Sequence, residues 1–425
     1  MLEIRVIRDQ FDRIANALDK RNKDYRPLLR EALQWDDKRR QYQARRDDIQ
    51  SRLNVMSKEI GKLFKSGEKK KAEILRLKTS ELKEEIKNLN KALEEAENKL
   101  REVLWQIPNV PHELVPPGKS DEENVVVYQW GELPVLPADA LPHWELAKKY
   151  DIIDFEAGTK ITGAGFPVYK NRGARLQRAL INFFLDRNTA AGYDEVLPPH
   201  LINEASGFGT GQLPDKEGQM YHIEKDNLYL VPTAEVPVTN LYRDVILNES
   251  DFPIKNTAYT PCFRREAGSW GAHVRGLNRL HQFDKVEIVR IEHPEQSYKA
   301  LDEMVEHVKS LLQDLKLPFR IVRLCGGDLG FTSALTYDFE VWSAAQKRWL
   351  EVSSVSNFET FQANRLKLRF RDKENKKRLA HTLNGSALAL PRVVAALLEN
   401  NQTPEGIVIP PILHSYTGFD IIKAS

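Results

Sequence analysis

The first hundred residues carry apolar side chains at alternating steps of four and three, which is the spacing of a coiled-coil seam. The first run is Leu28, Ala32, Trp35, Arg39, Tyr42, Arg46, Ile49, Leu53, Met56, Ile60 and Leu63, and the second is Leu75, Thr79, Leu82, Ile86, Leu89, Leu93, Ala96, Leu100 and Val103. Ser66 and Gly67 separate them. Two such runs around a glycine turn predict an antiparallel helical hairpin. Each helix would be about 55 Å long at about 1.5 Å per residue.

The charges of this predicted arm are unevenly distributed. Arg39 and Arg46 occupy nominal seam positions, where we expect them to weaken the packing. Near the tip, Glu59 and Glu68 oppose six lysines, which are Lys58, Lys62, Lys65, Lys69, Lys70 and Lys71. A locally basic, rigid arm is typical of contact with a phosphate backbone, whose affinity is mainly electrostatic. A solvated coiled coil that serves dimerisation has the same pattern, so both interpretations stay open here.

A proline-rich stretch separates the arm from the rest of the chain. Residues 106–142 contain IPNVPHELVPPGKSDEEN and LPVLPADALP, which cannot continue a helix. We therefore predict a helical domain over residues 1–105, with the arm at about 28–104. The junction then covers 106–142, and a second domain covers 143–425.

Beyond the junction, helical and period-two patterns alternate. Helices are predicted at 175–188, 296–315 and 386–400, and strands at 195–197, 228–231, 257–266, 280–291, 319–324 and 348–353. Hairpins interleaved with helices indicate an α+β domain, in which helices pack on a mostly antiparallel sheet. The glycine-rich residues 207–211 lack the ending of a phosphate-binding loop and are interpreted as a flexible loop.

Composition narrows the class of protein. The chain has 425 residues, of which 41% are apolar and 29% charged, and this indicates a folded protein of two or three domains. The net charge of +2 restricts any nucleic-acid footprint to a local patch. Cys262 and Cys325 are too few for a disulfide framework or a four-cysteine zinc site. With neither a signal peptide nor an apolar run of about 20 residues, we expect a cytoplasmic location and no membrane partner.

Polar residues in register mark the stretch from Pro261 to Glu287, which reads as two strands joined by a long, glycine-containing loop. Because strands alternate faces with a period of two, the side chains expected on shared faces are Cys262, Arg264, Glu266, Arg279, His281, Phe283, Lys285 and Glu287. Arginines, carboxylates and an aromatic ring suit a flat, anionic ligand. A solvated face with ordinary ion pairs has the same composition, and the pattern alone does not separate the two.

Two further stretches carry candidate chemistry. Residues 231–237, VPTAEVP, place a hydroxyl and a carboxylate in a stiff loop, or form a plain turn. Residues 349–354, WLEVSS, end a predicted strand with Glu351, Ser353 and Ser354. Their hard oxygen atoms suit Mg²⁺, although an exposed strand end looks the same.

A third stretch, LNGS at residues 383–386, leads into a predicted helix. Ser386 is a candidate N-cap, and Pro391 predicts that the helix starts late or bends. Arg392 either points at a phosphate or is a surface cation. The histidines lack metal-ligand spacing, and no dinucleotide fingerprint follows a strand.

Together and in this order, these motifs resemble the class II aminoacyl-tRNA synthetases, and among them the seryl-tRNA synthetase family. The resemblance covers essentially the full chain, through the arm, the TAE loop, FRREAG with HQFDKVE, EVSS and LNGSALALPR. It implies a class II catalytic domain with a seven-stranded type of antiparallel sheet and flanking helices. It also implies a homodimer whose interface forms around residues 175–199.

The implied reaction is that of a serine–tRNA ligase. Serine and ATP give seryl-adenylate, and serine is then transferred to the 3′-terminal adenosine of tRNA(Ser). The basic arm would bind the tRNA, and tRNA(Sec) is a candidate second substrate.

The resemblance also implies roles for individual residues. Arg264 corresponds to the arginine on the ATP α-phosphate and Arg392 to the arginine on the other face of the nucleotide, and these two are the implied catalytic residues. The implied ATP-binding set is Arg264, Arg265, Glu266, Arg279, Phe283, Glu351, Val352, Ser353, Ser354 and Arg392. The implied serine-binding set is Thr233, Ala234, Glu235, Arg264, Glu287, Asn384 and Ser386. Glu351 and Ser354 are the implied Mg²⁺ ligands, and no zinc is expected.

One position departs from the family pattern, and two other functions compete with the ligase. Arg265 stands where the family commonly has serine, and strand alternation predicts that it points to the opposite face. A synthetase-like ligase acting on a non-tRNA acceptor would lack the long arm. A coiled-coil RNA-binding or scaffold protein with a decayed ligase domain would lack motif residues. The arm and the complete motifs therefore favour the tRNA ligase.

Overall fold

The structure is a computed structural model that describes residues 1–215, 217–266 and 274–424. The chain forms two compact units, one of residues 2–19 with 23–108, and the other of residues 109–425 with Met1 and residues 20–22. Part of the loop expected between Pro261 and Glu287, residues 267–273, lies outside the described residues. No helix in the described ranges is both long and apolar enough to cross a membrane.

The helices and strands follow in chain order. The α-helices are α1 (Ile4–Asp9), α2 (Phe11–Leu18), α3 (Arg26–Lys65), α4 (Lys69–Leu104), α5 (His143–Lys149), α6 (Phe155–Ile161), α7 (Asn171–Ala190), α8 (Glu204–Thr210), α9 (Glu235–Asn240), α10 (Ser297–Asp314), α11 (Thr360–Leu366), α12 (Leu390–Asn400) and α13 (His414–Thr417). The β-strands are β1 (Val125–Trp130), β2 (Ile153–Asp154), β3 (Val168–Tyr169), β4 (Asp194–Glu195), β5 (Leu201–Asn203), β6 (His222–Ile223), β7 (Leu228–Leu230), β8 (Ile246–Asn248), β9 (Ile254–Phe263), β10 (Gln282–Glu292), β11 (Phe319–Arg323), β12 (Leu335–Ser343), β13 (Arg348–Glu359), β14 (Arg369–Arg371), β15 (Lys377–Leu379), β16 (His381–Ala389), β17 (Gln402–Thr403), β18 (Gly406–Val408) and β19 (Ile421–Ile422).

The helical unit is built on the hairpin of α3 and α4, which pack along each other as the heptads predict. The seam positions are the shielded ones, and the buried members are Ala32, Ile49, Thr79, Leu89, Leu93, Ala96, Leu100 and Val103. Gly67, at φ +78°, makes the turn between the helices, in a conformation that favours glycine. Arg39 is accommodated at its seam position because the buried Asp36 accepts from its guanidinium at 2.8 Å.

The second unit contains one large sheet with the order β1-β11-β12-β13-β16-β10-β9-β4. Its neighbours pair antiparallel, except that the two-residue edge strand β4 pairs parallel with β9. The sheet has eight strands, one more than the resemblance implies. The opposite edge strand, β1, comes from the stretch predicted as junction, so this proline-rich region contributes to the sheet.

Helices α7, α10 and α12 cover the sheet and close the main core, whose largest buried side chains include Phe183, Phe184, Phe319 and Phe339. Helix α12 starts at Leu390 with Pro391 in its first turn, where the missing N–H costs nothing. The predicted late start is therefore confirmed. The N-cap predicted at Ser386 is wrong, because Ser386 is inside β16 and pairs with Glu287 of β10.

The glycine-rich residues 207–211 do not form the flexible loop that was predicted. Residues up to Thr210 belong to α8, and Gly211, at φ +90°, ends this helix. Gly207 and Gly209 are needed for close packing. A Cβ on Gly207 would meet the Leu213 side chain at 2.8 Å, and one on Gly209 would meet Leu366 at 2.7 Å. The glycines thus allow neighbouring side chains to approach the helix.

Candidate active site

A cavity of about 510 Å³ opens over the sheet in the second unit. The predicted site residues that line it are Thr233, Glu235, Arg264, Glu266, Arg279, Phe283, Glu287, Glu351, Val352, Ser353, Ser354, Asn384, Ser386 and Arg392. Two predicted residues are not among its described lining. Ala234 is buried in a small apolar cluster with Val238 and Ala258, and Arg265 lines a neighbouring cavity. The structure therefore brings together nearly all of the residues that the motifs singled out.

Strands β9 and β10 carry the centre of this cavity, but they are shorter at this end than predicted. Strand β9 ends at Phe263, so Arg264 and Glu266 follow the strand. The N–H of Arg264 still donates to the carbonyl of His281 at 2.9 Å, but the ladder stops there because the N–H of His281 donates to the carbonyl of Gly165 at 2.9 Å instead of returning the bond. Glu266 then turns with φ +47°.

The predicted alternation of side chains between the two faces holds within β10, but it fails at His281, which precedes the strand. Phe283, Lys285 and Glu287 all line the cavity. The prediction that His281 shares this face is wrong, because β10 begins at Gln282 and the His281 ring stacks on Phe166 at 5.5 Å. Cys262, opposite Phe283, is fully buried and is not among the described cavity residues.

One end of the cavity presents an aromatic ring and cations. The Arg264 guanidinium lies 5.3 Å from the centroid of the Phe283 ring, and its Nε donates to the carbonyl of Pro232 at 3.3 Å. Arg279 donates through Nε to the carboxylate of Glu266. A ring face beside several guanidinium groups can hold a flat heterocycle and an attached polyanion. We call this part the nucleotide end.

Next to the nucleotide end lies a group of hard oxygen atoms. Ser354 donates to Glu351 Oε1 at 3.3 Å, and Asp338 pairs with Ser354 across β12 and β13. Asp338 is 8% exposed, and its Oδ1 atom has no hydrogen-bond partner in the described parts of the chain. Burial, followed by the charge of Glu351, raises the pKa of Asp338 well above its usual value.

These residues fit a magnesium ion. Mg²⁺ prefers oxygen ligands and usually takes one or two carboxylates together with substrate phosphates. Glu351, Ser354 and the unpartnered Asp338 oxygen are such donors. No group of three or more His, Cys, Asp or Glu residues with metal-binding geometry occurs in the described ranges.

The opposite end of the cavity is more deeply buried, and we call it the acidic end. Glu287 is 1% exposed; its Oε2 forms an ion pair with Lys285 Nζ at 2.7 Å, and its Oε1 accepts from Asn384 Nδ2 at 3.0 Å. Glu235 accepts from Gln362 Nε2 at 2.6 Å. Burial, followed by repulsion from Glu287, raises the pKa of Glu235 to about 7. This end can hold a small cation or a hydroxyl donor.

The sequence patterns missed several residues that line the cavity or bond to the side chains that line it. Asp338 is in an alternating strand but belongs to no assigned motif, and Lys285 was placed on the correct face without a role. Gln362, in α11, and Asn278, just before Arg279, had no signal at all, because their partners are distant in sequence. Only spatial proximity identifies such residues.

Comparisons with known proteins cover both units. A family model described as Seryl-tRNA synthetase N-terminal domain matches residues 1–111, and one described as tRNA synthetase class II core domain (G, H, P, S and T) matches residues 220–401. The serine–tRNA ligase of Salinibacter ruber is 51% identical over all of both chains. That of Akkermansia muciniphila is 47% identical over 100% of this chain and 99% of its own. The seryl-tRNA synthetase of Pyrococcus horikoshii complexed with ATP superimposes with a TM-score of 0.92 at 34% identity over 100% of both chains.

Proposed function

The chain belongs to the seryl-tRNA synthetases, which are class II serine–tRNA ligases, and from this we propose that the cavity over the sheet is where it activates serine with ATP. The observation that carries this proposal is that one cavity joins a ring flanked by arginines to a buried pair of carboxylates. The serine carboxylate attacks the ATP α-phosphorus, which forms the mixed anhydride and releases pyrophosphate. The ribose hydroxyl of the tRNA terminal adenosine then attacks the acyl carbon and releases AMP.

At the nucleotide end, the side chains bind and orient the ATP. We propose that Phe283 stacks on adenine, Glu266 accepts from its amino group, and Arg279 and Arg392 contact the phosphates. Arg264, held by Pro232 and by the ring of Phe283, faces the α-phosphate. Its charge stabilises the negative charge that develops as the anhydride forms. No proton transfer is needed in this step, so positioning and charge account for the catalysis.

We propose that Mg²⁺ binds at the group of hard oxygens, with Glu351 and Ser354 as protein ligands. The unpartnered oxygen of Asp338 beside Ser354 supports this assignment. When bound, the ion neutralises phosphate charge and favours departure of pyrophosphate. Glu351 and Ser354 contribute by fixing where that charge lies.

At the acidic end, we propose that serine binds between Thr233, Glu235, Glu287, Asn384 and Ser386. Glu235 and Glu287 hold the serine ammonium group or accept from its hydroxyl. A site built to bond a hydroxyl rejects an analogue that lacks it by roughly 10⁴–10⁵. Alanine is therefore strongly excluded, whereas threonine keeps the hydroxyl, so its rejection has to be steric.

We propose that the basic hairpin of α3 and α4 binds tRNA(Ser) and, as a second substrate, tRNA(Sec). The lysines near Gly67 and the heptad seam that stiffens the hairpin support this proposal.

We further propose a homodimer whose subunits contact each other around residues 175–199. Leu197, in that stretch, is 81% exposed, and burial of such a side chain favours association. The dimer is tested by sedimentation equilibrium, and a monomer at micromolar concentration would contradict it. The two free cysteines are consistent with action in the cytoplasm.

Amino-acid-dependent ATP–pyrophosphate exchange with each of the twenty amino acids tests the cavity assignment. We expect exchange with serine alone, because serine carries both the ammonium and the hydroxyl group that the acidic end can bind. Exchange with alanine at a similar rate would contradict hydroxyl recognition, and exchange with no amino acid would contradict the activation step.

Removal of the arm tests whether tRNA binding and serine activation belong to different units of the chain. A variant lacking residues 28–100, with a short linker in their place, should keep serine-dependent exchange and lose charging of tRNA(Ser). Charging assays with tRNA(Ser) and with tRNA(Sec) measure the loss. Retained charging would show that the arm does not bind the tRNA.

A further inference from the structure

A buried pair of a histidine and a glutamate lies behind the nucleotide end, at residues to which no part of the reaction has been assigned. His143 and Glu399 are both fully buried, and His143 Nδ1 lies 2.8 Å from Glu399 Oε1. The backbone N–H of His143 donates to the same carboxylate oxygen at 3.0 Å. The N–H of Leu277 donates to His143 Nε2 at 2.8 Å. Because Nε2 accepts, the ring proton is on Nδ1 and donates to Glu399.

A second path runs from Glu399 to the neighbouring residue. Gln346 Nε2 donates to Glu399 Oε1 at 3.0 Å, and Gln346 Oε1 accepts from Asn278 Nδ2 at 2.8 Å. The carbonyl of Asn278 then accepts from Arg392 Nε at 2.9 Å. Leu277 and Asn278 are therefore fixed from one side by the buried pair, and Arg392 is oriented from the other.

The segment has little freedom to take another position. Leu277 and Asn278 are buried and line the cavity. Gly276 has φ +69°, and a Cβ at this position would come within 2.2 Å of His143 Nε2. The backbone is therefore pressed against the imidazole ring. Helix α12 carries Arg392 in its first turn and Glu399 in its last, so both ends of one helix are bonded to the same segment.

We propose that His143, Glu399 and Gln346 are positioning residues for ATP binding, which set the Leu277–Asn278 segment and through it the direction of the Arg392 guanidinium. The inference rests on the proposed contact between Arg392 and ATP. An arginine whose Nε is anchored presents its remaining N–H groups in a fixed direction. Arg392 Nη1 also donates to the carbonyl of Glu351 at 2.9 Å, so loss of the Nε anchor leaves the guanidinium held at one point instead of two, free to turn, and less often aligned with phosphate. Displacement of a catalytic group by about 1 Å costs on the order of 10²-fold in rate.

Two glutamines near Glu399 provide a matched test. Gln402 donates to the carbonyl of Glu399 at 2.9 Å and exchanges two hydrogen bonds with the backbone of Leu141. In the described contacts it does not reach Asn278. Gln346→Met removes the bond to the segment, whereas Gln402→Met removes a comparable number of hydrogen bonds at the same helix end.

The variants are compared by the KM for ATP and the KM for serine in pyrophosphate exchange, and by calorimetric titration with ATP. We expect Gln346→Met to raise the KM and the dissociation constant for ATP about tenfold, since it releases the anchor without removing Arg392. Its KM for serine should stay within about twofold of wild type, as should both KM values of Gln402→Met.

Three outcomes would overturn the proposal: an unchanged KM for ATP in Gln346→Met, an equal rise in both glutamine variants, or a rise of both KM values together. The variant Arg392→Ala shows whether the proposed contact with ATP or the proposed positioning network is wrong. If Arg392→Ala binds ATP normally, the proposed contact of Arg392 with ATP is wrong. If Arg392→Ala loses ATP binding and Gln346→Met does not, the contact stands and the positioning network is wrong.

Discussion

The two ends of the cavity use the same kinds of charged residue in opposite surroundings. At the acidic end, the side chains of the Glu287–Lys285 pair are 1% and 8% exposed. At the nucleotide end, the side chain of Arg279 is 43% exposed, and in the group of hard oxygens beside it the side chain of Glu351 is 49% exposed. The acidic end thus holds its charges out of water, while the nucleotide end keeps them in contact with it.

This difference matches what each end would have to bind. A buried charge is costly unless it is paired, so a small ligand that completes the hydrogen bonds is distinguished sharply from one that does not. A solvated charge exchanges partners cheaply, and this suits a polyphosphate and its cation, which must enter and leave in every cycle. We therefore expect the acidic end to discriminate between amino acids, and the nucleotide end to bind and release ATP and its products in every cycle.

The largest contrast should appear when the same substitution is made at both ends. Glu287→Gln leaves Lys285 buried without its counter-charge, and breaking a buried pair costs about 3–5 kcal/mol. Glu351→Gln, at an exposed position, should change the free energy of unfolding by less than about 0.5 kcal/mol. Urea unfolding followed by circular dichroism measures both. Similar losses for the two variants would show that the ends do not differ in the way that burial indicates.

Two adjacent arginines sharpen the comparison within the nucleotide end. Arg264→Ala removes the charge proposed to face the α-phosphate, and loss of such a group typically costs about 2.7–4 kcal/mol, or 10²–10³ in rate. Arg265→Ala is the control, because Arg265 is exposed and lines the neighbouring cavity. Pre-steady-state formation of seryl-adenylate should fall in the first variant and stay within about twofold of wild type in the second. Equal rates in the two variants would contradict the role given to Arg264.

A smaller effect should appear in the pH dependence of the free energy of unfolding, through Glu235 at the acidic end. The pKa of Glu235 is raised from 4.5 to about 7 by burial, so the folded state holds a proton that the unfolded state releases. Stability from this group is therefore present below about pH 4.5, falls as the pH rises towards 7, and is constant above. One pKa unit is worth about 1.4 kcal/mol, so the total is on the order of 3 kcal/mol.

Glu235→Gln supplies the reference for this titration, because glutamine keeps the shape and carries no proton to lose. The difference in free energy of unfolding between wild type and variant should change between pH 4.5 and 7. The KM for serine should fall over the same range in wild type, as the carboxylate that binds the ammonium group becomes charged. Parallel stability curves for the two proteins would contradict the raised pKa.

Local periodicity predicted the elements well wherever one face of an element is buried. The heptads gave the hairpin, and alternation placed Phe283, Lys285 and Glu287 on the cavity side of β10. These patterns are reliable because burial acts on every second residue of a strand, or every third and fourth residue of a helix. The family resemblance then collected dispersed motifs into one site, which periodicity alone does not do.

The errors arise where a distant partner decides the local structure. The pairing of β9 with β10 ends early because the N–H of His281 donates to Gly165, and nothing near His281 signals that partner. The glycines of α8 looked like a loop because their purpose, close contact with Leu213 and Leu366, is visible only in the fold. Ser386 resembled an N-cap until its pairing with Glu287 placed it inside a strand.

Cys262 is buried directly opposite Phe283, so the rate at which its thiol is alkylated reports how often this part of the sheet opens. Burial raises the pKa of its thiol, which leaves little of the reactive thiolate, and no part of the residue is accessible to solvent. An alkylating reagent therefore reacts with this thiol only while β9 and β10 are apart. Mass spectrometry of the two cysteine-containing peptides gives the modification rate of Cys262 relative to that of Cys325. This ratio measures how often β9 and β10 separate beneath the nucleotide end, and a ligand stacked on Phe283 should lower it.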